Sequence, residues 1–166
     1  CDIIGKPRNC ITAVTMPGFG TSDRTYRNAI TLMESLGTSI KEISIKAACI
    51  QHFKDIEHDI EKHDITYENA QARERTQILM DVANQTGGIV IGTGDLSEAA
   101  LGFTTYAGDN LSHYNVNATM PKTLIRELVL HIAGKRGGAL ADTLKDIVAS
   151  PVSPELIEGQ QTEEIL

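Results

Sequence analysis

Asp95 and Glu98 stand three residues apart behind a Gly92-Thr93-Gly94 turn. They lie in the stretch 88–122, which begins G-G-I-V-I-G-T-G-D-L-S-E-A-A-L-G-F-T-T-Y-A-G-D-N and runs on to Met120-Pro121-Lys122. Carboxylate oxygens in such a place can hold a divalent cation. Glycines beside them let the backbone turn sharply or lie close to a ligand. The same spacing is that of a capping box, and acidic groups at a helix start are favoured by the helix dipole. A second pair, Asn69 and Arg73, is spaced to share one helix face. Aimed from a helix start, it could hold an anionic or amide-bearing ligand; a solvated face with Arg73 paired to Glu68 or Gln77 fits equally well. Asp55, Asp59 and His63 also recur at helical spacing, as a metal row or as an exposed acidic face. No cysteine or second histidine lies where it would close a zinc site, and His52 and His58 read as surface residues.

These groups need elements to position them. Ile89, Val90 and Ile91 form a short all-apolar run without polar alternation, which suits a strand covered on both faces. Strand, glycine turn and helix start then follow in order, and ligands of open α/β sheets bind beyond the carboxyl ends of strands. Upstream, 11–16 reads as a strand stopped by Pro17-Gly18-Phe19-Gly20. A helix over 23–36 follows, capped near Thr21-Ser22-Asp23 and ended by Gly37. A second strand is expected over 39–45, a helix over about 47–61 and a long helix from Tyr67 to about Ala83. Pro121 suits the first turn of a further helix, with Leu124, Leu128, Val129 and Ile132 facing inward. Residues 134–138, G-K-R-G-G, read as a loop, either a phosphate site or a connection, before a last helix over 140–148.

The bulk composition narrows the function. The chain has 166 residues, 41% hydrophobic and 22% charged, enough for one domain with a core. A net charge of -7 argues against a duplex-DNA or anionic-membrane binder. It leaves room for a small anionic ligand held locally. Three cysteines, Cys1, Cys10 and Cys49, form neither a disulfide framework nor a CxxC pattern. Cys49 reads as a buried thiol, and the set suits a reducing cytoplasm. No secretory segment or membrane-length apolar run is present in the sequence. Because the first residue is Cys, the chain is expected to be an internal piece of a longer protein. Residues 1–158 are read as a partial domain and 159–166 as a loose acidic tail.

Five blocks, in order, resemble the NAD synthetase family: T-M-P-G-F-G-T-S-D-R-T at 15–25, Y-E-N-A-Q-A-R-E-R-T-Q at 67–77, G-T-G-D-L-S-E-A-A-L-G-F at 92–103, Y-N-V-N-A-T-M-P-K-T-L at 114–124 and S-P-E-L at 153–156. They are most similar to the synthetase domain of the long, glutamine-dependent type. The resemblance implies an α/β, Rossmann-like parallel sheet flanked by helices, the PP-loop ATP pyrophosphatase fold of the adenine nucleotide alpha hydrolase-like group. It implies ATP-dependent amidation of deamido-NAD to NAD through an adenylated intermediate, with ammonia from a glutaminase domain and Mg²⁺ on the triphosphate. By this resemblance Thr93 and Lys122 match ATP-binding positions. Asn69, Arg73, Phe103 and Tyr106 match deamido-NAD positions, Phe103 as the ring that would stack on the pyridine. Glu98 matches a position that holds Mg²⁺ or lies against the nicotinate end.

The sequence departs from the family's pattern: the glutaminase domain and the helical C-terminal part are not among its residues, and neither is one short block. The family's ATP signature S-G-G-x-D-S is absent from residues 1–166. The chain alone is therefore expected to be inactive although its parent is a ligase. The resemblance also implies a homodimer or larger homo-oligomer. Two other readings stand beside it: a PP-loop amidase of the GMP-synthetase kind, and a non-catalytic remnant that binds a dinucleotide.

Overall fold

The computed structural model describes residues 1–150. The expected S-P-E-L block and acidic tail lie outside the described residues. The chain divides into two compact units, Cys1–Ser44 with Arg126 onward, and Ile45–Ile125. Both are α/β with parallel strand pairing. Among the described residues no helix is long and apolar enough to cross a membrane.

The first unit opens with two 3-10 turns, Asp2–Ile4 and Arg8–Cys10. β1 (Thr12–Thr15), α1 (Asp23–Leu36) and β2 (Ser39–Glu42) follow as a βαβ unit, registered from Thr12 opposite Ser39 to Thr15 opposite Glu42. α1 keeps the expected bounds because both ends are specified. The Ser22 hydroxyl accepts from the Thr25 amide, and Gly37 takes the left-handed conformation that ends the helix. α1 packs against α6 (Gly138–Ala149). Two residues of α1 meet Asp146 of α6: Arg24 as a fork at 2.8 and 2.5 Å, and Asn28 at 2.7 Å. Their hydrogen bonds, Arg24 foremost, hold the Asp146 carboxyl down at about 2.

The second unit is built on α2 (Lys46–Asp55) and α3 (Ile65–Thr86). Its core holds Ile45, Cys49, Phe53, Tyr67 and Gln71, with Phe53 stacked on Tyr67 at 5.4 Å. Burial pushes the Cys49 thiol up to about 11. Asp64 caps α3, accepting from the Thr66 and Tyr67 amides. Hydrogen bonds, led by Lys62, keep its carboxyl far below the ordinary range. β3 (Ile91–Gly92) and β4 (Tyr114–Asn115) pair in parallel, with α4 (Leu96–Leu101) between them in sequence. α5 (Lys122–Arg136) begins in this unit and continues past it.

Several expectations need correction. α2 ends at Asp55, where Glu57 adopts a positive φ and the His58 amide turns back to the Phe53 carbonyl. Asp55, Asp59 and His63 therefore do not form one helical row, and no metal-holding cluster of three occurs among the described residues. His58 is not a surface residue. Its ring is 10% exposed, packs on Phe53 and meets Asp64 at 3.0 Å. β2 stops at Glu42 and β3 is two residues long. Val90 is buried, but Ile89 is 63% and Ile91 49% exposed. Ile89 and Ile91, two apart, face the same side of the run, so that side is open while the Val90 side is covered. Helix continues through Gly134 to Arg136, and the break is made by Gly137 and Gly138, both at positive φ. Leu124, Leu128 and Ile132 are exposed on α5, where Ala133 is the buried position.

Candidate nucleotide and acyl site

The Asp95–Glu98 pair is a capping box, and it does more than cap. Asp95 Oδ1 accepts from the Glu98 amide at 2.9 Å, and Glu98 Oε2 accepts from the Asp95 amide at 3.0 Å. The remaining oxygens, Asp95 Oδ2 and Glu98 Oε1, both receive Lys122 Nζ at 2.9 Å. One ammonium thus closes a ring over the start of α4. The backbone holds the two ends together. Leu96 N–H donates to the Met120 carbonyl at 3.0 Å, and Lys122 N–H donates to Ser97 Oγ at 3.1 Å.

The electrostatics follow from this geometry. Burial by itself would raise the Asp95 carboxyl, but Lys122 and the Glu98 and Ser97 amides outweigh it and hold it below the ordinary value. Burial likewise opposes charge on Lys122, and Glu98 and Asp95 overcome it to raise the ammonium. Two carboxylates and one ammonium leave the ring net negative. It would repel a polyphosphate unless a divalent cation reversed the sign. Glu98, half-exposed and with oxygen ligands only, has the donor chemistry that Mg²⁺ takes when phosphates complete its shell.

The glycines beside the ring serve different purposes. A Cβ on Gly92 would lie 2.9 Å from Ser112 Cβ, so this residue is glycine because β3 passes against the 112–115 segment. Gly94 has room for a Cβ at ordinary contact distance. Thr93 is exposed, and its carbonyl accepts from Asn117 Nδ2 at 3.4 Å.

A second cluster forms where α3 meets the loop after α4. Asn69 Oδ1 accepts from Thr105 Oγ1 at 2.9 Å, and Arg73 Nε donates to the Tyr106 carbonyl at 3.1 Å. Gly108 lets the loop close on α3, since a Cβ there would lie 3.2 Å from Ala72 Cβ. Phe103 is tied to α4 by its amide, which donates to the Glu98 carbonyl at 3.0 Å. Its ring is 56% exposed, and Tyr106 is 82% exposed. Arg73 also lines a cavity of about 300 Å³ with Cys49, His52, Ala70, Glu74 and Gln77. The Arg73–Glu68 and Arg73–Gln77 pairings weighed from the sequence give way to the bond with Tyr106.

The structure thus joins Glu98 to Lys122, and Asn69 and Arg73 to the 105–106 loop, all in one unit. Sequence reading left Asp95 between capping and cation binding, without Lys122 as its partner, and passed over Thr105. The Asp95–Lys122 pair spans too many residues for helical periodicity to reveal it. The neighbourhood of Thr105 to Phe103 was the available signal for the other.

The comparisons with known proteins bear on this geometry. A family profile described as NAD synthase matches residues 2–166. A glutamine-dependent NAD(+) synthetase of Mycobacterium tuberculosis is 45% identical over 166 residues, covering 96% of this chain and 24% of that protein. The chain therefore spans about a quarter of the length of such relatives. The structure of an NMN synthetase from Francisella tularensis matches with a TM-score of 0.77 and 28% identity, over 93% of this chain and 60% of the other. A glutamine-dependent NAD+ synthetase from Acinetobacter baumannii, solved with ADP, matches with a TM-score of 0.74 and 25% identity, over 82% and 26%.

Proposed function

Because the chain belongs to the NAD synthase family, we propose that it carries part of a site for the ATP-dependent amidation of deamido-NAD to NAD. A carboxylate is a poor electrophile and must be activated before nitrogen can add. In the reaction proposed, a nicotinate oxygen attacks the α-phosphorus of ATP and pyrophosphate leaves. Ammonia, supplied by a glutaminase, then adds to the acyl carbon and AMP leaves. The observation that carries the reading is the Asp95–Glu98–Lys122 ring just beyond β3.

The residue roles follow. Lys122 and Thr93 hold the nucleotide, Lys122 as the cation that a phosphate draws away from the two carboxylates. Glu98 would hold Mg²⁺, which neutralises charge on the triphosphate. Arg73 and Asn69 hold the dinucleotide and keep the 105–106 loop against α3. Phe103 and Tyr106 offer exposed ring faces for stacking. We also infer a homodimer, supported by the uncovered Leu124, Leu128 and Ile132 on α5, and a cytoplasmic setting. A second reading is favoured by the Francisella tularensis neighbour: the same acyl chemistry on a mononucleotide.

Calorimetric titration of the 166-residue chain tests the proposal. Saturable binding of deamido-NAD is expected, weakened about tenfold by Asn69→Ala and by Phe103→Ala, on the order of 1.4 kcal/mol each. Binding unaffected by either substitution would sink the assigned site. Preference for nicotinate mononucleotide would favour the second reading.

A further inference from the structure

Cys1 and Cys10, which sequence spacing gave no reason to pair, meet with their sulfurs 3.7 Å apart. Local structure brings them there. The Ile4 and Lys6 amides both donate to the Cys1 carbonyl, and Gly5 reverses the chain at a φ of 65°. The Cys10 amide donates to the Pro7 carbonyl at 3.1 Å and closes the second turn. A guanidinium fork staples the two turns: Arg8 Nε on Asp2 Oδ1 at 3.1 Å and Nη2 on Oδ2 at 2.6 Å. Arg136 adds a longer contact to the same carboxylate, at 3.5 Å. Cys10 is exposed, Cys1 half-buried and Cys49 buried.

We propose that Cys1 and Cys10 form a redox-active dithiol, oxidised to an intramolecular disulfide by a small disulfide of the glutathione class. The sulfurs are at contact distance and need roughly 1.7 Å of closure to bond, a movement that rotation of the two side chains supplies. Exposed Cys10 reacts first. Its thiolate attacks one sulfur of the oxidant, the S–S bond breaks, and one small thiolate leaves. The Cys1 thiolate then attacks the Cys10 sulfur and expels the second. Two protons pass to the released thiolates, and the two electrons reside in the reduced oxidant. The product tethers the start of β1. Ser39 already bonds the adjoining backbone there, its hydroxyl to the Asn9 carbonyl at 2.8 Å and its amide to the Ile11 carbonyl at 2.9 Å.

The test treats the native chain with glutathione disulfide, blocks the remaining thiols and cleaves after Arg8, which separates the two cysteines. The expected result is loss of two free thiols per chain, with the peptides bearing Cys1 and Cys10 joined and no interchain species. Cys49→Ser should oxidise like the parent. Asp2→Asn should form the internal bond about tenfold more slowly, because the staple no longer prepositions the sulfurs. A persistent glutathione adduct on Cys10 with Cys1 free would overturn the proposal. So would interchain dimers, or closure in Asp2→Asn as fast as in the parent.

Discussion

Lys122 meets one buried and one half-exposed carboxylate, and the two make different demands on it. Replacing it with Met strands Asp95 without its counter-charge. We expect a loss on the order of 2 kcal/mol, less than for a fully buried pair because Lys122 is partly solvated, read from urea unfolding. Glu98→Gln separates the remaining roles. An amide oxygen can still accept from the Asp95 amide, so the cap survives and stability should change by less than about 1 kcal/mol. Any response of the chain to Mg²⁺ with ATP should nonetheless fall sharply. If binding of that pair is untouched in Glu98→Gln, the carboxylate is a cap and nothing more. The chemistry of these positions was legible in the sequence only as alternatives. A carboxylate three residues behind another looks the same whether it caps or ligates, and it took the lysine from the distant start of α5 to show that both oxygens beyond the cap are turned toward a cation.

At the scale of elements, sequence reading succeeded where both ends of an element carry local signals and failed where tertiary packing decides. Ser22 and Gly37 delimit α1 completely. α2 ended early because a positive-φ turn at Glu57, which no glycine advertises, reverses the chain. The apolar run at β3 promised cover on both faces, yet packing covers only the Val90 side and leaves Ile89 and Ile91 exposed. The α1–α6 junction yields a pH dependence. Asp146 falls from its ordinary 3.8 to about 2 in the folded chain. A depressed carboxyl stabilises the fold at pH above its unfolded value, and that contribution disappears as acid titrates it through the folded one. The parent should therefore lose stability between these two values, and Asp146→Asn should show a flatter acid profile over the same interval. In the second unit, Phe53→Ala removes a fully buried ring stacked on Tyr67. It should cost about 3–5 kcal/mol in denaturant unfolding.

For the whole molecule, the family and the parallel α/β architecture were readable because five sequence blocks fall in order along the chain. The residues facing one another across the site were not, since each contact joins segments distant in sequence. We expect no NAD, AMP or pyrophosphate from the 166-residue chain by itself, measured after incubation with ATP, Mg²⁺, ammonia and deamido-NAD. Its residues hold no S-G-G-x-D-S block, and product formation would show that this block is dispensable. Sedimentation equilibrium should report a dimer, and Leu128→Glu should shift it to monomer if the exposed α5 stripe is the contact.

The division of the chain also sets an order of events during synthesis. The unit carrying Glu98, Lys122, Asn69 and Arg73 is one uninterrupted stretch, whereas the other joins a beginning and an end. On the ribosome, the inner stretch can fold once Ile125 has cleared the exit tunnel. β1, α1 and β2 emerge earlier, yet they must wait for α6 before α1 gains its partner. A nascent chain stalled with Ile125 just outside the tunnel and α6 still within it should already protect Phe53 and Tyr67 from proteolysis while α1 remains open to cleavage.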